Sequence, residues 1–157
     1  MIRKESKRLV AKDITGTITA NRQPVEVVWR AGTLLIDEPK FNGGQDLGPD
    51  PFTMIVAGLV GCTLTTLRMY IRRKGWQIDR IRVDANMMQQ QEPFRTVILR
   101  TVVLGQPVTE AQRERLLHIA KNCPAARLLE GEIVIDTVLD GTSSELHGGM
   151  EVIQCSQ

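Results

Sequence analysis

The feature that most limits what this chain can fold into is the segment from Phe52 to Arg73. It is apolar almost all round as far as Leu67 and is dotted with Gly58 and Gly61. Pro51 suits the first helical turn, where its missing N–H would have no partner anyway, and Gly75 supplies the stop. A helix that is apolar on every side belongs in the centre of a structure, with the rest of the chain wrapped round it. Gly58, Gly61 and Thr65 form a face without bulk that admits another backbone closely, and the segment turns basic at its end with Arg68, Arg72, Arg73 and Lys74.

The flanking segments read as an α+β chain. Ile14 to Ala20 and Val25 to Trp29, separated by Asn21-Arg22-Gln23-Pro24, predict a β-hairpin, and Thr33 to Ile36 predicts a third strand. The breaker-rich stretch from Asp37 to Pro51 is expected to be a long functional loop. After Gly75, Ile78 to Ala85 predicts a strand, Gln89-Gln90-Gln91 a turn region, and Phe94 to Leu104 a further strand. Thr109 and Gln112 have capping-box spacing ahead of an apolar stripe of Leu116, Leu117, Ile119 and Ala120. Glu132 to Leu139 predicts a last strand. The organisation expected is one domain over residues 1–140, with an arm at 14–36, a helix at 52–74 and an αβ portion at 78–139, followed by a flexible tail at 141–157.

Composition narrows the function classes. The 157 residues are 42% hydrophobic and 24% charged, with a formal net charge of +2. Near balance argues against dedicated nucleic-acid binding, since the one basic cluster, Arg3 to Arg8, reads as a solvated tail. The longest uninterrupted apolar run, Met54 to Cys62, is too short to span a bilayer, so no membrane association and a cytoplasmic location are expected. Three cysteines without C-x-x-C spacing, and only His118 and His147 besides, suggest neither a disulfide framework nor a metal site. Cys155 lies in the tail.

Cysteine in a reducing compartment is either core filler or chemistry. Cys62 is buried by its context and has two readings, a small thiol in a packing notch or a nucleophile that needs a cation from elsewhere. Cys123, in Asn122-Cys123-Pro124, is poised. Pro124 disfavours helix before it and starts one well, which places Cys123 at the N-cap of a short helix through Leu129, where exposed N–H groups favour thiolate.

Several separate motifs occur in a recognisable order: Asp37-Glu38-Pro39, Gly43-Gly44, Gly48-Pro49-Asp50-Pro51-Phe52, Gly61-Cys62-Thr63, Thr66-Leu67-Arg68-Met69-Tyr70, Arg73-Lys74-Gly75-Trp76, then Gln112-Arg113 and Ala120-Lys121-Asn122-Cys123-Pro124. From Thr33 to Leu139 the chain resembles the OsmC/Ohr superfamily, in its OsmC-like branch. The resemblance implies an intertwined homodimer in which strongly curved antiparallel β-sheets wrap around central helices. It implies a thiol peroxidase for small organic hydroperoxides, with Cys62 attacking the peroxide, Cys123 closing a disulfide, and a dithiol such as a lipoylated protein restoring both. No cofactor or metal is required. The activating arginine would be Arg22 or Arg30, and Asp50, Phe52 and Thr53 would meet substrate. Relatives carry a glutamate just after the proline that opens the Cys62 helix, where this chain reads Phe52-Thr53, and often Cys-Pro-Val-His where it reads Cys123-Pro124-Ala125-Ala126. An alternative is therefore a small-molecule binder or stress-related protein of the same fold without efficient turnover.

Overall fold

The computed structural model describes residues 8–19 and 22–139, with the side chains of Arg22 and Gln23 outside the description. The proposed tail at 141–157, with Cys155, lies outside the described residues. The architecture is α+β with antiparallel sheets, as expected. Strands β1 (Thr15–Thr19), β2 (Arg22–Trp29) and β3 (Gly32–Ile36) form an antiparallel meander. Every residue of β1 is exposed, and Ile18, Val28, Trp29 and Leu35 of this sheet face solvent.

The following loop is more ordered than a string of breakers suggests. A 3-10 turn, Lys40–Asn42, sits inside it, and the buried Asp37 carboxylate ties it from within, accepting from the Gln45 and Leu47 N–H groups at 3.0 and 3.1 Å. A Cβ on Gly44 would fall 1.7 Å from the Glu38 carbonyl oxygen, so only glycine fits the close approach. The loop ends at Asp50, which caps helix α1 (Pro51–Lys74) by accepting from the Phe52 and Thr53 N–H groups, both at 3.0 Å. At the other end Gly75, at φ 65°, closes the helix in the left-handed conformation that its lack of a Cβ permits.

One face of α1 is buried, through Leu59, Thr63, Leu67, Tyr70 and Ile71 at spacings of four, four, three and one. It packs against the hairpin of β4 (Ile81–Gln91) and β5 (Phe94–Leu104) and against helices α2 (Glu110–Lys121) and α3 (Pro124–Leu129). The main core joins Leu67, Tyr70 and Ile71 to Ile78, Leu116 and Ala120. Arg68 fixes the chain entering β4 by donating to the Ile78 and Asp79 carbonyls at 2.7 and 2.8 Å. The capping box forms as read, with Gln112 N–H donating to Thr109 Oγ1 at 3.2 Å and the Gln112 side chain accepting from Thr109 N–H at 3.0 Å.

Four expectations need correction. The Gln89-Gln90-Gln91 segment is strand, paired with Thr96, Arg95 and Phe94, and the turn falls at Glu92-Pro93. The strand before it begins at Ile81, because residues 78 and 79 are held by Arg68 instead of by a neighbouring strand. Residues 132–139 form no strand in the single chain. Their alternating apolar side chains are exposed, and a strand without a neighbour to receive its N–H groups has nothing to hold it. Finally, α1 extends well past the apolar run at its centre and is, by length and composition alone, long and apolar enough to cross a membrane.

The other face of α1 is open. Ile55, Gly58, Cys62, Thr65 and Met69 follow at spacings of three and four, and a Cβ added to Gly58 or Gly61 would meet nothing within 4 Å. A helix read as central is central only on one side within one chain.

Candidate thiol site

Two helices bring the sulfurs together. Asn122 ends α2, Cys123 takes the extended conformation (φ −63°, ψ 150°) that Pro124 imposes, and α3 folds back across the middle of α1. Cys123, Leu59 and Ala126 form a small buried cluster against which Cys62, Ile98 and Ala125 pack. Neither of the two cysteines is in a disulfide. The Ala125 N–H, in the first turn of α3, donates to Cys62 Sγ at 3.4 Å.

The burial of the two thiols is the reverse of the sequence reading. Cys123 is fully buried and Cys62 half-buried. The cause lies in the helix faces: Cys62 borders the open face of α1, whereas the start of α3 is pressed onto the covered face. Cys123 is the N-cap, as expected, and its thiol lies below its ordinary range. Burial pushes it up, but hydrogen bonding from Thr63, the Ala126 N–H, and the hydrogen bond and charge of Arg100 together outweigh that. No capping bond of ordinary geometry closes at this N-cap, so Thr63, ahead of the helix end, is the largest favourable influence.

Among the described residues, the guanidinium that reaches a cysteine is that of Arg100. Its Nη1 lies 3.6 Å from Cys123 Sγ and donates to Thr63 Oγ1 at 2.7 Å, while Nη2 donates to the Ala120 carbonyl at 2.9 Å. Thr63 Oγ1 is 3.5 Å from Cys123 Sγ and donates to the Leu59 carbonyl at 2.7 Å. Arg30 lies over the ring of Trp29, 5.6 Å from its centroid, and the Arg22 side chain falls outside the described residues. Sequence reasoning missed Arg100, although a signal existed. Ile98, Arg100, Val102 and Leu104 share one phase of β5, and a single charge on the inward phase of an otherwise apolar strand needs a partner inside.

The residues expected to meet substrate lie nine to twelve residues before Cys62. Asp50 is occupied as the cap of α1, and Thr53 Oγ1 donates to its second oxygen. That bond first, then the Thr53 and Phe52 N–H groups, holds the Asp50 carboxyl below its usual range against a small opposing effect of burial. The Phe52 side chain stands exposed beside them. A groove of about 1000 Å³ runs between β5, α2 and α3. Leu59, Ile98, Arg100 and Ala126 line it, so it backs onto the thiol cluster, but neither sulfur opens into it. Among the described residues no group of three His, Cys, Asp or Glu side chains converges as a metal site would.

The family model for OsmC-like proteins matches residues 43–138. Comparison with curated proteins finds no match. Among solved structures the chain is similar to an osmotic stress induced and detoxification response protein from Psychrobacter arcticus, at 15% identity and TM-score 0.63 over 81% of this chain and 91% of that one. An OsmC-like protein from Mycoplasma pneumoniae gives 21% and 0.63 over 76% and 86%. An organic hydroperoxide resistance protein from Legionella pneumophila gives 16% and 0.61 over 80% and 93%. At these identities the likeness establishes the fold.

Proposed function

This chain belongs to the OsmC family, and from that premise we propose that it is a thiol-dependent peroxidase that reduces small organic hydroperoxides. A stress-related, peroxidase-like role is supported at family level by neighbours such as the Legionella organic hydroperoxide resistance protein. The observation that carries the proposal is the meeting of Cys62 and Cys123 in one cluster, with the half-buried thiol on the accessible side and the other behind it.

Cys62, as thiolate, attacks the outer peroxide oxygen. The O–O bond breaks, an alkoxide leaves and takes a proton to become an alcohol, and Cys62 becomes a sulfenic acid. Cys123 then displaces hydroxide from that sulfur to close the disulfide, and a dithiol of the lipoyl class reopens it by exchange in the reducing cytoplasm. The N–H of Ala125 points at the Cys62 sulfur from one side. The cation that completes its activation is proposed to be Arg22 or Arg30, delivered from a second copy whose arm covers the open face of α1. A homodimer with intertwined arms accounts for the bare meander, the open helix face and the unpaired residues 132–139 together.

A second reading rests on Thr53. It engages Asp50 at the position where the resemblance places a glutamate, so the carboxylate described at the helix start is already taken up as a cap instead of being free to manage the peroxide proton. In that reading the same site binds a small apolar or electrophilic molecule without turning over. Consumption of cumene hydroperoxide by reduced protein with excess dihydrolipoamide separates the two. Repeated turnover that vanishes in Cys62→Ser supports the peroxidase, and consumption no faster than that variant's supports the binder.

A further inference from the structure

As a resolving thiol Cys123 needs only the right reach, yet of the two described thiols it has the more polar surroundings. A fully buried sulfur normally stays protonated, because a buried anion without partners is costly. Around Cys123 the elements supply the opposite of an apolar box. α1 presents the Thr63 hydroxyl at 3.5 Å, β5 presents the Arg100 guanidinium at 3.6 Å, and α3 presents the Ala126 N–H. Among the described residues, Arg100 is the charged group facing Cys123, and Cys62 is the other titratable one in the cluster.

We propose that Arg100 and Thr63 are positioning residues that hold Cys123 as a thiolate ready to attack oxidised Cys62, with the Thr63 hydroxyl turning to follow the charge on sulfur. The proposal rests on the peroxidase reading. Its second half follows from counting protons. Thr63 has a single hydroxyl hydrogen and two acceptors within reach, the Leu59 carbonyl at 2.7 Å and Cys123 Sγ at 3.5 Å. When Cys123 is a thiol, its S–H points at Thr63 Oγ1 and the hydroxyl hydrogen stays on Leu59. When Cys123 is a thiolate, the hydroxyl hydrogen turns to sulfur, and Thr63 Oγ1 still accepts from Arg100 at 2.7 Å. Arg100 is itself fixed by the Ala120 carbonyl, so the guanidinium does not depend on sulfur for its place.

In the resolving step the Cys123 thiolate forms the S–S bond as the S–O bond of the Cys62 sulfenic acid breaks. The Cys62 sulfur is reduced, the Cys123 sulfur is oxidised, and the departing hydroxide takes a proton from solvent to leave as water. Because thiolate is the nucleophile, one unit of pKa changes its fraction tenfold below the midpoint, and since the more basic sulfur is also about threefold more nucleophilic, the rate changes about threefold per unit. The loss of thiolate in the disulfide also leaves Arg100 without its anion, so the pairing favours the reduced state.

The test uses the full chain. In Cys62→Ser/Cys155→Ser, which leaves Cys123 as the one cysteine, thiolate absorbance near 240 nm is followed against pH, with and without Arg100→Met, Arg100→Lys, Thr63→Val and Thr63→Ser. In the background that retains both cysteines, disulfide closure after one equivalent of cumene hydroperoxide is followed by quench and non-reducing peptide mapping across the same pH range. Arg100→Met and Thr63→Val should move the Cys123 titration to higher pH and slow closure about threefold for each unit of that shift near neutral pH, with Cys62 sulfenic acid trapped by dimedone in the interval. Arg100→Lys and Thr63→Ser should recover most of the rate, which a merely structural role would not predict. A titration and a closure profile unmoved by Arg100→Met and Thr63→Val, in folded protein, overturn the proposal. If unsubstituted protein forms neither sulfenic acid nor bridge while Arg100→Met still shifts the Cys123 titration, the peroxidase reading falls and the Arg100 pairing stands.

Discussion

Gly58 and Gly61 separate a helix that ends at solvent from one that ends at a partner. In the single chain nothing lies within 4 Å of a Cβ built on either, so replacing both with alanine relieves two helix-interior glycines at no steric cost. Each such change gains about 1 kcal/mol of helix propensity, or about 2 kcal/mol together. For a chain of this size that is a rise in melting temperature of roughly 4–8 °C, independent of protein concentration. In the proposed homodimer the face carrying Ile55, Gly58, Cys62, Thr65 and Met69 is covered, and the small residues are what let the partner approach. The same two substitutions then insert a methyl group four times per dimer into a packed seam, at a cost of about 1–3 kcal/mol for each overpacked site. Even a net loss of about 3 kcal/mol weakens association by more than 10²-fold. Sedimentation equilibrium and urea melts, each over a hundredfold range of concentration, distinguish the cases. The account predicts a dimer for the unsubstituted chain, a weakened dimer for Gly58→Ala/Gly61→Ala, and concentration-dependent melting for both. A concentration-independent gain of about 2 kcal/mol would refute the covered face, and with it the delivery of a partner's arginine to Cys62.

Three other perturbations probe the fold and the site. Leu67→Ala empties the centre of the main core, where Leu67 has no exposure, and should cost about 2–5 kcal/mol in a urea melt. Thr53→Glu should raise kcat/KM for cumene hydroperoxide, by as much as about 10²-fold if it restores proton handling at the helix start. An unchanged rate would show that the carboxylate is not what limits the chain. The Asp50 carboxyl titrates below its usual range because the folded state favours its charged form, so its contribution to stability is present above the ordinary value of 3.8 and is lost as pH falls through the folded value. Thr53→Val removes the first cause of that shift and should move the Asp50 titration, followed by NMR, toward 3.8.

What the sequence disclosed was local, and what it hid was long-range. Asn122-Cys123-Pro124 fixed the end of α2 and the N-cap of α3 because proline constrains its own residue and the one before it. Thr109 and Gln112 marked the start of α2 for the same kind of reason. The polar run Gln89-Gln90-Gln91 misled because ladder pairing is made by backbone N–H and C=O groups, which glutamine supplies as well as an apolar residue, and the ladder continues to Phe94. The alternation in 132–139 was visible, but which strand would receive it depends on chain beyond the segment. Arg100 meets Cys123 across 23 residues and a helix, so no spacing rule links them, and only its inward phase on β5 gave a sign. The exchanged burial of Cys62 and Cys123 has the same origin. An all-round apolar helix announces that it will be covered without saying by which chain.

The measurement that bears most directly on the central claim is peptide mapping of reduced protein after one equivalent of cumene hydroperoxide without oxygen, alongside Cys62→Ser and Cys123→Ser. The account predicts rapid, stoichiometric formation of a Cys62 to Cys123 disulfide that requires both thiols, with sulfenic acid accumulating on Cys62 in Cys123→Ser and no oxidation of Cys123 in Cys62→Ser. Slow oxidation of the two cysteines independently of one another would contradict it.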